Sequence, residues 1–186
     1  VFRGRQCLDC ELVYLAPRPT PAELDLMYGE EYFTADSAER GAHSATDYET
    51  AAIQGAVKFP EILGAIRRFR PDGDFFEIGC GMGYFLDYVR GQGYRVSGLE
   101  YSAFGTEAAR TRFGLDVRQG SLDTVSLAEG AYDVVFLGDV LEHMVKPLEE
   151  LRRSRRLLKP GGVVAAEVPA QFNAIVGRGA VALYRL

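Results

Sequence analysis

From residue 74 to residue 168 the apolar positions switch repeatedly between two periods. Short runs of consecutive apolar residues give way to stretches in which apolar side chains recur every three or four positions. The runs predict strands at 74–79, 94–99, 115–118, 132–137 and 162–168, and the stretches predict helices at 83–91, 103–113 and 146–158. Asp133-Val134-Val135-Phe136-Leu137 and Val163-Val164-Ala165-Ala166 are apolar on both faces, as parallel strands buried under helices on either side are. Strand and helix in alternation imply a doubly wound α/β fold around a mostly parallel sheet.

Upstream, Ile53, Val57, Ile62, Leu63, Ile66 and Phe69 share a helical face between Tyr48 and Phe69. A break or kink is expected at Pro60, and Pro71-Asp72-Gly73 ends the helix. Residues 36–46 are small and polar and read as a loop. Before them Cys7-Leu8-Asp9-Cys10 precedes the apolar Leu12-Val13-Tyr14-Leu15, and Pro17, Pro19 and Pro21 impose an extended segment. Thr20 can cap a short helix with Pro21 at its first position, Glu23 in its first turn and Leu24, Met27 and Tyr28 on its apolar face. The division expected is an N-terminal appendage over 1–46 and a ligand-binding domain over 47–186.

Bulk properties narrow the function classes. The 186 residues suffice for one domain, and 47% hydrophobic with 25% charged residues is ordinary globular composition. No apolar run reaches the roughly 18–20 residues of a membrane span. A net charge of −5 argues against a nucleic-acid partner. Arg152, Arg153, Arg155 and Arg156 sit among leucines at helical spacing and read as a solvated helix face. Three cysteines make no disulfide framework and no segment resembles a signal peptide, so a reducing cytoplasm is expected. The chain begins with Val1 rather than Met, as a fragment or processed form would.

Chemistry concentrates after the first strand of the alternating region. Glu77-Ile78-Gly79-Cys80-Gly81-Met82-Gly83 lies between the strand run Asp74-Phe75-Phe76 and the helical Tyr84-Phe85-Leu86. Glycines let the chain turn tightly and let a ligand approach the backbone, while the helix start offers free N–H groups. A carboxylate at Glu77 disfavours a pyrophosphate and favours a cationic or hydroxyl-bearing ligand. Glu100 ends the second strand about twenty residues on, the separation at which an acid can accept two ribose hydroxyls. Gly120-Ser121-Leu122 follows the third strand and could meet an adenine edge and face. Gly138-Asp139-Val140-Leu141-Glu142-His143 follows the fourth, at the rim where ligands sit in open parallel sheets.

Together these residues resemble a class I S-adenosylmethionine-dependent methyltransferase. The matching motifs are Glu77-x-Gly79-x-Gly81-x-Gly83, the terminal Glu100, the strand Asp133–Leu137 leading to Leu141-Glu142-His143, and Leu158-Lys159-Pro160-Gly161-Gly162; they cover roughly residues 55–170. The resemblance implies a Rossmann-like sheet of order 3-2-1-4-5 with S-adenosylmethionine across it. In that mapping Gly79, Gly81, Gly83 and the backbone at Cys80 line the methionine moiety, and Glu77 helps hold its amino group. Glu100 takes the ribose hydroxyls with Tyr101 beside it, Ser121 and Leu122 lie near adenine, and Asp139 lies at the cofactor's edge. The family often carries Asp where Ser121 stands. His143 is the candidate base, with Glu142 or Asp139 to orient it. The acceptor implied is a small molecule methylated at oxygen or carbon, and Tyr28, Tyr32 and Phe33 could form a lid.

The N-terminal Cys7-x-x-Cys10, followed by Leu12–Pro21 and the Leu26–Phe33 stretch, is similar to methyltransferases with a zinc-ribbon-like module, some of them C-methyltransferases of nucleotide-linked sugars. A structural zinc usually needs four ligands, so with one pair present no metal is expected unless a second pair lies upstream; His43 is a poor candidate. The family sheet adds two strands after the fifth, one antiparallel, but only about seventeen residues follow Pro169. Those strands are expected to be missing, leaving an edge that a partner, such as a second copy in a homodimer, could cover. Two alternatives stand beside the methyltransferase. A nicotinamide-dependent oxidoreductase would carry Gly-x-Gly-x-x-Gly, whereas here Tyr84 follows Gly83. A non-catalytic module that keeps the fold for S-adenosylmethionine binding or protein contacts would bind the cofactor without turnover.

Overall fold

The computed structural model describes residues 4–11, 13–34, 55–168 and 180–184. Two short strands open the chain, β1 (Gly4–Gln6) and β2 (Val13–Leu15), paired antiparallel. Helices α1 (Pro21–Met27) and α2 (Glu30–Thr34) follow. The core then runs through a 3-10 turn (Ala56–Lys58), α3 (Phe59–Arg67), β3 (Asp74–Ile78), α4 (Tyr84–Gly91), β4 (Arg95–Glu100), α5 (Ala103–Phe113) and β5 (Val117–Gln119). It continues through β6 (Tyr132–Gly138), a 3-10 turn (Leu141–His143), α6 (Pro147–Leu157), β7 (Leu158–Val168) and β8 (Ala180–Tyr184).

Six strands form one sheet in the order β5-β4-β3-β6-β7-β8. The first five are parallel, so the expected order 3-2-1-4-5 holds. The expectation that every strand after the fifth is missing is corrected at β8, which pairs antiparallel with β7 from Val168↔Ala180 to Val164↔Tyr184. The last apolar run is long enough for one strand, and it pairs along the edge of β7.

The runs apolar on both faces divide as a period of two requires. Phe75, Val134, Phe136, Val163 and Ala165 point into the layer under α3 and α4, with Ile66, Leu86 and Val89. Phe76, Val135, Leu137, Val164 and Ala166 point the other way, with Leu99 and Leu157. Burial on both sides of the central strands brings their carboxyl ends to one rim.

Three boundaries differ from the sequence reading for local reasons. Pro60 does not kink a helix: the 3-10 turn Ala56–Lys58 precedes it and Pro60 sits in the first turn of α3, where its missing N–H is not needed; residues 48–54 of that reading lie outside the described residues. Gly114 ends α5 at φ 63°, donating to the Arg110 carbonyl while Leu115 donates to that of Ala109. This closing motif uses Leu115 as a buried plug, so β5 begins at Val117 rather than 115. The fifth strand starts at Leu158 rather than 162, opposite Tyr132, with a register shift before Val134.

At the end of the sheet away from the glycine turn, Lys159 Nζ donates to Asp74 Oδ2 (2.5 Å) and Asp133 Oδ2 (2.7 Å), and Arg95 Nε donates to Asp74 Oδ1 (2.7 Å). Hydrogen bonds from Arg95 and then Lys159 hold Asp74 down at about 2. A carboxylate depressed in the folded state stabilises above its unfolded value and loses that contribution as pH falls through the folded value. Acid unfolding is therefore expected to steepen between about pH 4 and pH 2. Asp74→Asn should flatten that region of a stability–pH curve, and an unchanged curve would contradict the assignment.

Helix α1 starts as the sequence predicts. Thr20 N–H donates to Glu23 Oε2 (2.7 Å), and Glu23 N–H donates to the Thr20 hydroxyl (3.3 Å). Cys7 and Cys10 lie in the β1–β2 connection with free thiols. Hydrogen bonds from the Cys10 and Asp9 backbone hold the Cys7 thiol below its ordinary range. Among the described residues no group of three or more His, Cys, Asp or Glu could hold a metal, and no helix is long and apolar enough to cross a membrane. His43 lies outside the described residues.

Candidate functional site

The rim formed by the carboxyl ends of β3, β4 and β6 floors a cavity of about 710 Å³. Ile78, Gly79, Gly81, Leu99, Glu100 and Tyr101 make one side, and Gly138, Asp139, Val140 and His143 another. Gly120, Ser121, Leu122 and Asp123 close a third side, and Pro21, Leu24, Tyr28, Tyr32 and Phe33 from the N-terminal segment lie across the top.

The glycine turn has its special geometry for packing reasons that can be named. Gly79 sits at φ 73°, and a Cβ there would lie 2.4 Å from Val140 Cγ2. Gly81 sits at φ 54° and donates its N–H to Glu100 Oε2 at 2.7 Å, while Ser102 N–H donates to Oε1 at 2.8 Å. Gly79 N–H donates to the Leu99 carbonyl at 2.7 Å, which ties the turn to the end of β4. Gly105, on the first turn of α5, was not singled out in the sequence. A Cβ there would crowd Phe33 Cζ (3.1 Å), Glu100 Cγ (3.2 Å) and the Gly81 carbonyl (3.2 Å). A glycine three residues into a helix is the signal that could have found it.

Two carboxyls flank the turn. Glu100 is buried, and burial lifts its carboxyl above the ordinary range against the hydrogen bonds of Ser102 and Gly81. Glu77 is 5% exposed, and its carboxyl is pushed up to about 8, first by burial and then by the charge of Glu100. Among the described residues its Oε2 has no hydrogen-bond partner.

Four residues of the sequence-predicted set do not line the cavity. Glu77 lies beneath the floor. The Cys80 side chain turns into the core beside Gly98, where a Cβ would meet its Sγ at 2.9 Å, and burial pushes its thiol up. Gly83, the N-cap of α4 at φ 84°, faces Leu115 and Ala109, which a Cβ would approach to 2.6 and 3.0 Å, so close packing also requires a glycine there. Glu142 stands outside the wall with Oε1 3.8 Å from His143 Nε2. Gly79, Gly81, Glu100, Tyr101, Ser121, Leu122, Asp139 and His143 are brought together.

Around that set the local chemistry is specific. Asp139 holds φ 51°, a left-handed conformation that Asp tolerates better than most residues, and donates its N–H to the Glu167 carbonyl at 2.9 Å. The Ser121 hydroxyl accepts from Asp123 N–H (3.3 Å), and Ser121 N–H donates to the Thr124 hydroxyl (2.9 Å). The acidic side chain on this wall is therefore Asp123, two residues beyond Ser121, and it pairs with Arg153. The sequence shows Arg153 only as part of a basic helix face, since charge on one side of a helix carries no sign of partners such as Glu150. The N-terminal segment is tied down by Arg18, whose guanidinium donates to the Met144 carbonyl at 3.0 Å, and by the Tyr101 hydroxyl, which donates to Asp25. Phe33 is buried and stacks on Phe104 at 5.6 Å.

Comparison with known proteins bears on this geometry. A family model described as a methyltransferase domain matches residues 76–166. A probable S-adenosylmethionine-dependent methyltransferase of Mycolicibacterium smegmatis is 33% identical over 106 residues, which is 56% of this chain and 41% of that protein. The ubiquinone biosynthesis O-methyltransferase of Caulobacter vibrioides is 34% identical over 116 residues, 54% of this chain and 46% of that protein. Among solved structures, a SAM-dependent methyltransferase of Thermotoga maritima, described as a possible histamine N-methyltransferase, superposes with a TM-score of 0.55 at 25% identity, covering 65% of this chain and 56% of that one. The chain spans less than half the length of the two curated relatives.

Proposed function

We propose that this chain, whose residues 76–166 form a class I S-adenosylmethionine-dependent methyltransferase domain, binds S-adenosylmethionine across the strand tips and passes its methyl group to oxygen or carbon of a small-molecule acceptor. The observation that carries the proposal is the pair of buried carboxyls, Glu77 and Glu100, on either side of a turn without side chains at 79 and 81.

The residues present fit the cofactor. Among the described residues Glu77 Oε2, beneath the cavity floor, has no hydrogen-bond partner, and a water bridging to the cofactor's ammonium would supply its donor. Glu100 accepts one backbone N–H at each oxygen and keeps lone pairs for two vicinal hydroxyls. Ser121, Leu122 and Val140 offer a small polar edge and apolar faces to an adenine. When bound, the cofactor supplies an electrophilic methyl group on a sulfonium.

The chain's own part is positioning, proton removal and exclusion of water. In-line placement of two reacting groups is worth up to roughly 7–11 kcal/mol in well-oriented systems. His143, exposed on the cavity side with Glu142 beside its Nε2, takes the proton from a hydroxyl or carbon acid acceptor. Tyr28, Tyr32 and Phe33 line the cavity from the N-terminal segment and would limit water around a bound cofactor. Oxygen is favoured by the curated relatives named for O-methylation in ubiquinone biosynthesis. The net charge of −5 keeps nucleic acid out of the proposal, and three free thiols suit a reducing cytoplasm.

His143→Ala is expected to lower the rate of S-adenosylhomocysteine formation by about a hundredfold, with the affinity for S-adenosylhomocysteine unchanged. Turnover equal to the parent's would remove His143 from the mechanism.

A further inference from the structure

Resting on the methyltransferase reading, we infer that the acceptor is a flat, uncharged, hydroxyl-bearing ring seated against Tyr28, and that a phosphate-bearing sugar is excluded. Tyr28 ends α1, where its N–H donates to the Leu24 carbonyl at 2.9 Å, so the Thr20–Glu23 capping box fixes its position through one helix. Its ring meets Tyr32 at 5.3 Å, Tyr101 at 6.3 Å and His143 at 6.4 Å between centroids, edge-on in each case. Tyr101 follows the ribose carboxyl Glu100, and His143 carries the base, so Tyr28 stands between the cofactor's ribose end and the point of proton removal. Leu24 and Met144 extend the apolar surface of the same cavity. A planar ring adds aromatic contact here at separations that such pairs favour.

Charge decides between a neutral ring and a phosphorylated acceptor. Among the described residues the carboxyls on the cavity wall are Glu100, Asp123, Asp139, Glu149 and Glu150, against the cations Lys146 and Arg153. Both cations are already engaged: Lys146 Nζ lies 3.3 Å from Glu149 Oε2, and Arg153 pairs with Asp123 and Glu150. A diphosphate would enter a wall of its own sign with its potential counter-charges spoken for. The same wall suits a sulfonium. Nucleotide-linked sugars, to which the N-terminal cysteine pair pointed, are the acceptors this balance disfavours most.

The test uses the whole chain saturated with S-adenosylhomocysteine, with catechol and UDP-glucose titrated separately by calorimetry. Catechol should bind saturably, and UDP-glucose should give no saturable heat at the same concentrations. Tyr28→Ala should weaken catechol about tenfold and Tyr28→Phe should stay within about twofold of the parent, because the ring and not the hydroxyl supplies the contact. Affinity for S-adenosylhomocysteine is measured for each variant and every catechol titration is run at saturation of it, so that lost cofactor is not read as lost acceptor. Absent catechol binding, UDP-glucose binding at equal strength, or an unchanged Tyr28→Ala would overturn the inference while leaving the cofactor reading intact. Failure of the parent chain to bind S-adenosylhomocysteine would overturn both.

Discussion

Glu100→Gln is expected to weaken S-adenosylhomocysteine binding by about ten- to a hundredfold, the range that follows from losing one charge-assisted hydrogen-bonding partner. The substitution replaces one acceptor oxygen with an NH2 group, and both oxygens already face donors, Gly81 N–H and Ser102 N–H. One of these contacts must therefore become donor against donor. The effect is felt at the glycine turn and at the N-terminus of α5 together, because the carboxyl ties them. Calorimetry gives the affinity, and a thermal melt run beside it separates lost binding from lost folding. Affinity within about threefold of the parent would remove Glu100 from the ribose contact.

Glu77 should make both stability and cofactor affinity depend on pH. In the ligand-free chain its carboxyl sits at about 8, so the group stabilises the fold fully below its unfolded value near 4.5 and loses that contribution as pH rises through 8. Stability is expected to fall by up to about 1.4 kcal/mol per pH unit across that window, and Glu77→Gln should flatten it. A cofactor ammonium on the floor above the carboxyl reverses the situation, because an opposite charge, directly or through water, favours the ionised form. Binding should then release a proton below pH 8, and affinity should climb with pH toward that value by up to tenfold per unit. Calorimetry in two buffers of different ionisation heat measures the released proton. No proton release, or the same pH profile in Glu77→Gln, would contradict the role.

The sheet was legible because its central strands cannot hide their character. Val134-Val135 and Val163-Val164 must each bury neighbours on opposite faces, and only a covered parallel sheet accepts that pattern. The rim residues followed from strand ends: Gly79, Gly81, Glu100, Asp139 and His143 were placed by counting from the runs. What escaped depends on contacts between segments distant in sequence. Gly83 looks like a third ligand-facing glycine, but Leu115 and Ala109, about thirty residues away, also require a glycine there. Cys80 stands between two glycines of the turn, yet the space beside Gly98 draws its side chain into the core. Asp123 and Arg153 meet across 30 positions, and no local pattern announces such a pair. The strand β8 was missed because its apolar run is short and its partner is β7, so a length argument alone undercounted the sheet.

The central claim is that the strand-tip cavity receives an adenosyl amino acid above Glu77 and against Glu100. Titration calorimetry of the folded chain at pH 7.5 with S-adenosylhomocysteine, and separately with NADH, tests it most directly. The account predicts one saturable site for S-adenosylhomocysteine and no saturable heat for NADH. Saturation by NADH, or none by S-adenosylhomocysteine, would contradict it.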